Sequence, residues 1–131
     1  MLTVGGSMKL KDKRIVITGG SKGLGRALAL RFAEEGARIA LCARSSDELN
    51  RVALELSSRW APPLCVPCDI ADHGHVELFA KTVLAEFGSV DVLVNNASLL
   101  GPRIEIVEWT TATWERVIDV NVNGLFAVTK A

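Results

Sequence analysis

The sequence predicts an α/β fold in which a doubly wound, parallel sheet carries helices on both faces. Short apolar runs alternate with helix-patterned segments from residue 14 onward, and this alternation is typical of parallel sheets. The apolar runs are continuous rather than alternating, as strands buried on both faces require. A glycine-rich turn joins the first apolar run to the first helical segment. Right-handed crossovers between these elements then favour the strand order 3-2-1-4.

The first half of the chain contains two predicted strands and two predicted helices. Strands are expected at 14–18 and 38–43, where apolar residues run together. The first helix follows the glycine-rich turn and ends at Gly36; its predicted apolar face consists of Leu24, Ala27, Leu28 and Phe32. Ser45 and Glu48 have the spacing of a capping box at the start of the second helix. The apolar stripe of that helix consists of Leu49, Val52, Ala53 and Leu56.

The second half repeats the alternation after a break at Pro62 and Pro63. Strands are predicted at 64–66 and 90–95. Asp72 is a suitable N-cap for the helix between them, whose stripe consists of Val76, Phe79, Ala80, Val83 and Phe87. The last helix is predicted to begin near 111–113 and to run towards Ala131. Its stripe consists of Trp114, Val117, Ile118, Val122 and Leu125, and Asn121 falls on that stripe.

Length and composition limit the class of protein. The 131 residues fit one domain over 1–131, with 1–8 as a flexible lead-in. Hydrophobic residues form 49% of the chain, which argues against disorder. Lys+Arg and Asp+Glu both total 15, which disfavours a nucleic-acid binder. No apolar run reaches the ~20 residues of a membrane span, and the start of the chain does not resemble a signal peptide. Three cysteines are too few for a disulfide framework, so we expect a cytoplasmic protein.

Glycine and polar residues gather at the carboxyl ends of the predicted strands, where doubly wound sheets bind their ligands. The turn after the first strand has the spacing Gly-x-x-x-Gly-x-Gly and leads into a helix N-terminus, which attracts phosphate. We therefore predict a phosphate-binding turn, with an ordinary glycine-rich turn as the alternative. The predicted cofactor-binding residues of this segment are Thr18, Gly19, Ser21, Lys22, Gly23, Leu24 and Gly25.

Two cations near this turn predict which dinucleotide is bound. Arg44 follows the second strand, where an acidic residue would bind the ribose hydroxyls of NAD. Arg44 and Lys22 suit a 2′-phosphate instead, through charge-assisted hydrogen bonds. The sequence therefore predicts NADP(H) in preference to NAD(H). The alternative is that both cations are solvated surface residues.

The ends of the third and fourth strands supply further candidates. Asp69 is predicted to accept a hydrogen bond from the adenine amino group, or else to cap the following turn, and the neighbouring Ile70 is assigned to the same site. Asn95, Ala97 and Ser98 are predicted to line the cofactor floor, with a purely structural turn as the alternative for Asn95. Asn121 is either a satisfied structural amide or a group that binds backbone and water beside an active site, because a buried amide needs partners.

These motifs together resemble the short-chain dehydrogenase/reductase family, over roughly residues 8–131. Residues 18–25 match the family's Thr-Gly-x-x-x-Gly-x-Gly turn, and Asp69 matches its adenine-contacting Asp. Residues 95–97 match the start of its Asn-Asn-Ala-Gly motif, in which Ser98 replaces the glycine. Lys22 and Arg44 match the basic pair of the NADP-preferring members. The resemblance implies a Rossmann-type fold and hydride transfer between NADP(H) and a carbonyl or alcohol substrate. It also implies that Asn121 is the catalytic-helix Asn, which supports a proton-relay water.

The resemblance also implies a catalytic Ser and a Tyr-x-x-x-Lys motif, both of which would lie beyond Ala131. The chain contains no tyrosine. We therefore expect it to be the cofactor-binding portion of an oxidoreductase and to be inactive alone. We also expect it either to self-associate as a homo-oligomer or to end in a partly unravelled helix, because an open strand edge and an uncovered helix face favour association.

Three other interpretations remain at this point. A non-catalytic NADP(H)-binding protein or sensor explains the same motifs. Cys65 and Cys68 form a Cys-x-x-Cys, although Cys65 lies in a predicted strand rather than at a helix N-terminus, where a redox thiol is expected. Addition of His73 and His75 makes a zinc set whose spacing is unusually tight, so we predict no metal.

Overall fold

A computed structural model describes residues 9–131. The predicted lead-in at 1–8 lies outside the described residues. The strands are β1 (Arg14–Thr18), β2 (Arg38–Ala43), β3 (Leu64–Pro67) and β4 (Val92–Val94). The helices are α1 (Gly23–Glu34), α2 (Ser46–Ser57), α3 (His73–Phe87), α4 (Thr111–Ile118) and α5 (Leu125–Lys130). A 3-10 turn spans Ile106–Glu108, and a π-helical segment, Asp119–Gly124, joins α4 to α5.

The four strands form one parallel sheet in the order β3-β2-β1-β4, as predicted. β1 and β2 pair over their whole shared length, from Arg14 opposite Arg38 to Thr18 opposite Cys42. β4 is shorter than the predicted 90–95 strand and pairs with β1 from Ile15 opposite Val92 to Ile17 opposite Val94. The central position of β1 places its carboxyl end, and the turn that follows, in the middle of the sheet edge.

Both faces of the sheet are buried, which explains the continuous apolar runs. Ile15 and Ile17 point into a core shared with α1 and α2, whereas Val16 points into a second core shared with α3. Side chains alternate between the faces of a strand, so a strand covered on both faces needs apolar residues at every position. Val120, from the π-helical segment, belongs to the second core.

The predicted apolar face of α1 is right in part: Leu28 and Phe32 are half-buried and pack against the first core, whereas Leu24 and Ala27 are exposed. Leu24 is 66% exposed, and the buried positions of the helix are Gly25, Ala29 and Ala33. Small residues face the sheet because α1 lies close to the turn that precedes it. Hydrophobic periodicity weights large side chains, so it selected the neighbouring face of the helix.

The predicted stripe of the last helix is also wrong in part, since only Val117 and Ile118 of its five residues are half-buried. Val120 and Gly124 are its buried residues, while Trp114 and Val122 are 51% and 53% exposed. A Cβ at Gly124 would lie 2.8 Å from the carbonyl oxygen of Ile70, so only glycine allows this approach. Trp114, Val122 and Leu125 of the predicted stripe therefore lie on the outer face of the helix.

Arg14 and Asp91 join the start of β1 to the start of β4. The Arg14 backbone N–H and Nε donate to Asp91 Oδ2 at 2.8 and 2.9 Å, and Nη2 donates to Oδ1 at 3.0 Å. These hydrogen bonds hold the pKa of Asp91 well below its ordinary value. The pair therefore ties the edge strand β4 to the sheet, at the end opposite the glycine-rich turn. Within residues 9–131, no helix has the length and apolar character needed to span a membrane.

Candidate functional site

A cleft of about 670 Å³ lies at the carboxyl ends of the strands. Nine of the predicted site residues line it: Gly19, Ser21, Lys22, Leu24, Arg44, Asp69, Ile70, Ala97 and Ser98. The lining also contains residues that the sequence did not single out as site residues, among them Cys42, Glu48, Cys68, Asn96 and Leu99. The predicted residues Thr18, Gly23, Gly25, Asn95 and Asn121 lie outside this lining set.

Thr18 and Asn96 fix the floor of the cleft by exchanging hydrogen bonds across β1 and β4. Thr18 Oγ1 accepts from the backbone N–H groups of Asn96 and Ala97 at 3.1 and 3.0 Å. Asn96 Nδ2 donates to the carbonyl oxygens of Thr18 and Gly19, each at 3.1 Å. Thr18 is 1% exposed. It therefore acts from beneath the cleft and ties the glycine-rich turn to the loop after β4.

Gly19 and Gly25 of the turn are required by close backbone contacts. Gly19 has a φ of +64°, and a Cβ there would lie 2.9 Å from Ala97 Cα. A Cβ at Gly25 would lie 2.2 Å from the carbonyl oxygen of Gly19. Gly23 has a φ of +55° and faces open space. The turn thus folds tightly onto α1 and leaves its outer side clear of side chains, which suits the approach of a phosphate to backbone N–H groups.

The N-terminus of α1 opens beside this turn. Lys22 is its N-cap residue and makes no side-chain capping hydrogen bond, and the first turn contains no acidic residue. The first N–H groups of a helix lack partners within the helix, and its dipole is positive at that end. The cleft therefore offers an anion site without a competing carboxylate on α1 itself.

The two predicted cations lie at the cleft, with an acidic neighbour that the sequence did not reveal. Lys22 Nζ is 3.9 Å from Glu48 Oε1, and the Lys22 side chain is 79% exposed. Ser21 Oγ donates to Glu48 Oε2 at 2.9 Å. Arg44 lines the same cleft and is exposed. Glu48 was predicted only as half of a capping box, because the Ser45–Glu48 spacing is visible in the sequence. The contact between Glu48 and Ser21 joins α2 to the turn before α1, and no spacing in the sequence indicates it.

Asp69 is held by two partners at the mouth of the cleft. Its Oδ2 accepts from Arg116 Nη2 at 2.7 Å, and its Oδ1 accepts from the Ala71 N–H at 3.0 Å. Burial acts to raise the pKa of this carboxyl, but the hydrogen bonds from Arg116 and Ala71 outweigh it and lower the pKa. Asp69 therefore caps the following turn, as one of the two interpretations expected, and its adenine contact stays a prediction.

Asn95 and Asn121 both use their amides to join chain segments. Asn95 Nδ2 donates to Thr129 Oγ1 at 3.1 Å, which ties the end of β4 to α5. Asn121 Oδ1 accepts from the Leu99 N–H at 2.7 Å, and its Nδ2 donates to the Leu99 carbonyl at 2.9 Å. Asn121 lies within the π-helical segment, a helix form that is frequent at functional sites. Its predicted role in a proton relay stays a prediction.

Cys65, the first thiol of the Cys-x-x-Cys, does not have the environment of a redox thiol. Cys65 lies within β3, and burial raises its pKa to about 11, whereas a reactive thiol needs a lowered pKa. His75, of the zinc set, is occupied: its Nδ1 accepts from the Asp69 N–H at 3.3 Å. Over residues 9–131, no group of three or more His, Cys, Asp or Glu side chains is arranged to hold a metal ion.

Comparison with known proteins identifies relatives over nearly the whole chain. The family model described as short chain dehydrogenase matches residues 13–131. A short chain dehydrogenase/reductase of Macrophomina phaseolina is 38% identical over 122 residues, which cover 92% of this chain and 70% of that protein. A 3-oxoacyl-(acyl-carrier-protein) reductase of Staphylococcus epidermidis is 35% identical over 88% of this chain, but only 47% of the relative is covered.

Solved structures show the same fold. The 3-ketoacyl-(acyl-carrier-protein) reductase of Brucella melitensis, crystallised with NADH, matches with a TM-score of 0.87 and 32% identity. The match covers 92% of this chain and 48% of that one. An NAD+-bound xylitol dehydrogenase matches with a TM-score of 0.89 and 31% identity, over 94% of this chain and 47% of the other. This chain therefore spans about half the length of the solved proteins that it resembles.

Proposed function

Because this chain belongs to the short-chain dehydrogenase family, we propose that it forms the NADP(H)-binding portion of an oxidoreductase. The reaction is hydride transfer between NADP(H) and a carbonyl or alcohol substrate. The observation that carries this proposal is the glycine turn, which folds so tightly on α1 that a Cβ at Gly25 would overlap the Gly19 carbonyl. The cations Lys22 and Arg44 line the same cleft as this turn. A single domain holds the whole site.

Each part of the cleft suits one part of the cofactor. The turn from Gly19 to Gly25 and the N-terminus of α1 hold the pyrophosphate, since their backbone N–H groups and dipole attract anions. Asp69 and Ile70 contact the adenine, and Ala97 and Ser98 form the floor beneath the nicotinamide half. Asn95 supports that floor from outside the cleft lining, through its hydrogen bond to Thr129. When bound, the cofactor supplies or accepts the hydride. This chain's own residues bind and orient it.

The preference for NADP(H) rests on Lys22 and Arg44. Both are exposed cations at the cleft, and in the part of the chain that the structure describes, Arg44 has no carboxylate within ion-pair distance. Charge-assisted hydrogen bonds of roughly 1.5–3 kcal/mol to a 2′-phosphate correspond to about ten- to hundredfold discrimination against NAD(H). The relatives named above were solved with NADH and NAD+, so cofactor preference is the first property to measure.

The experiment is a calorimetric titration of the 131-residue chain with NADPH and with NADH. We expect saturable binding of both, tighter for NADPH by at least about tenfold. Arg44→Gln should bring the two affinities close together by weakening NADPH alone. Arg59→Gln, which removes an exposed cation beside Trp60, is the matched control and should change neither. Equal affinities in the unmodified chain would refute the NADP(H) preference, and no binding of either cofactor would refute the proposed function.

A second candidate is a non-catalytic NADP(H)-binding protein or sensor. The same glycine turn, cations and cleft would serve it, because binding the cofactor needs no proton donor. Residues 1–131 contain no tyrosine, the residue to which the family resemblance assigns proton donation. We propose accordingly that the 131-residue chain does not catalyse reduction alone, and that Asn121 supports catalysis only together with downstream residues. Steady oxidation of NADPH by the pure chain with a panel of carbonyl substrates would contradict this.

The setting that we propose for the protein is a cytoplasmic homo-oligomer. The outer face of the last helix exposes Trp114, Val122, Leu125 and Phe126 to fractions between 43% and 64%. A contiguous apolar face of this kind favours association. Light scattering over a concentration series tests this, and a monodisperse monomer at every concentration would contradict it.

A further inference from the structure

We propose that Glu48 is a third determinant of cofactor choice, which weakens the preference for a 2′-phosphate that Lys22 and Arg44 create. This inference rests on the proposed NADP(H)-binding function. It concerns a carboxylate that lines the cleft and contacts two residues of the phosphate-binding turn.

Glu48 is used only in part as a helix-capping residue. Ser45 Oγ accepts from the Glu48 N–H at 3.2 Å, which is one half of a capping box. In the other half, the Glu carboxylate would accept from the Ser45 N–H. Within the described chain this second bond does not form; the carboxylate instead reaches Ser21 at 2.9 Å and Lys22 at 3.9 Å. The side chain that could complete the cap is therefore directed towards the cleft.

The contact with Lys22 places a negative charge beside the proposed phosphate site. An incoming 2′-phosphate must compete with Glu48 for the Lys22 ammonium and must approach a carboxylate of like charge. Lys22 is 79% exposed and Glu48 38% exposed in their side chains, so solvent screens this effect to a modest size. Replacing the carboxylate by a neutral amide should therefore strengthen phosphate binding by about two- to fivefold.

The contact with Ser21 acts in the same direction. Ser21 is 8% exposed, and its hydroxyl proton is donated to Glu48. The remaining lone pairs of Ser21 Oγ accept hydrogen bonds, and the Glu48 carboxylate accepts as well. An array of acceptors suits a ribose hydroxyl, which donates, and does not suit a phosphate dianion. Glu48 thus favours the unphosphorylated ribose.

The experiment compares the unmodified chain with Glu48→Gln by calorimetry, using NADPH and NADH and then adenosine 2′,5′-bisphosphate and 5′-AMP. Glutamine keeps the size of the side chain and an acceptor for Ser21. We expect NADPH and the bisphosphate to bind about two- to fivefold more tightly, with NADH and 5′-AMP unchanged or weaker. Glu34→Gln is the matched control, because it removes the same charge from the exposed Arg31 pair on α1. It should leave the ratio unchanged.

A double variant separates a direct effect on Lys22 from a general change of charge. In a Lys22→Met background, Glu48→Gln should change the NADPH-to-NADH ratio less than it does when Lys22 is present, since the competition is gone. If the unmodified chain binds both cofactors but Glu48→Gln leaves their ratio unchanged or lowers it, the role of Glu48 is overturned and the proposed function stands. If the unmodified chain binds neither cofactor, the proposed function itself fails.

Discussion

Substitution of Thr18 by Val isolates the hydrogen bonds that tie the glycine turn to the loop after β4. Valine keeps the shape and β-branching of threonine and removes only the hydroxyl group. The hydroxyl oxygen accepts from the N–H groups of Asn96 and Ala97 at 3.1 and 3.0 Å. The Asn96 N–H keeps a second acceptor, the Val94 carbonyl at 3.0 Å. The Ala97 N–H therefore carries the main loss.

The size of this loss follows from the cost of one buried donor without a partner. That cost is about 1–3 kcal/mol, against roughly 5–15 kcal/mol of total stability for a domain. With a denaturant slope of about 2 kcal/mol per molar urea, the midpoint of unfolding should fall by about 0.5–1.5 M. Thr18→Ser is the matched control, because it keeps the hydroxyl and removes one methyl group, at about 1 kcal/mol.

The assay is urea unfolding followed by circular dichroism, together with amide hydrogen exchange. Thr18→Val should lower the midpoint and increase exchange at the Ala97 amide, whereas Thr18→Ser should leave that amide protected. The reasoning is refuted if Thr18→Val is as stable as the unmodified chain, or if both variants expose the Ala97 amide to the same extent.

The remaining predictions concern a carboxyl group, a glycine pair and an amide. Because the pKa of Asp91 is lowered in the folded state, Asp91 contributes stability that is present above its ordinary pKa and is lost as pH falls through the folded value. Asp91→Asn should thus be less stable than the unmodified chain at pH 7, and the difference in stability should disappear in acid. Urea titrations at several pH values will measure this difference. Gly25→Ala should lower the free energy of unfolding by several kcal/mol, because its Cβ overlaps backbone atoms. Gly23→Ala should lower it by only about 1–2 kcal/mol, from its positive φ alone. Equal thermal unfolding temperatures for the two variants would contradict this. Asn121→Ala should expose the loop after β4 to hydrogen exchange, and Asn123→Ala, whose exposed amide bonds only within the last helix, should not.

The strands and their order were predictable because their signals are local and redundant. The segments 14–18 and 38–43 are continuous apolar runs bounded by glycine or charge, and both were predicted at their observed ends. Parallel pairing and right-handed crossovers then leave few arrangements. The same order places the strand ends, and hence most of the candidate site, at one edge of the sheet.

Periodicity predicted the buried faces of α2 and α3, where large apolar side chains pack against the sheet. It did not predict the buried face of α1, because the distance between backbones rather than hydrophobicity decides that face. A Leu at the position of Gly25 cannot lie against the Gly19 carbonyl, so α1 turns its small residues inward and leaves Leu24 in solvent. The partners of the cleft carboxylates were hidden for another reason. Glu48 bonds to Ser21, 27 residues away, and Asp69 to Arg116, 47 residues away, and neither pairing leaves a local spacing signal.

The π-helical segment constrains how the chain can accept insertions and deletions. A π-helical segment holds its residues in a wider turn than an α-helix does, with bonds from i to i+5. Because a turn with bonds from i to i+5 holds one residue more than a regular α turn, loss of one residue between Asp119 and Gly124 would let the segment return to the α form while α4 and α5 keep their relative orientation. Gly124 would then still face Ile70. Insertion of one residue into α4 would instead rotate everything beyond it by about 100° and would carry Gly124 away from Ile70, while length changes in the loop before α4 leave that orientation intact.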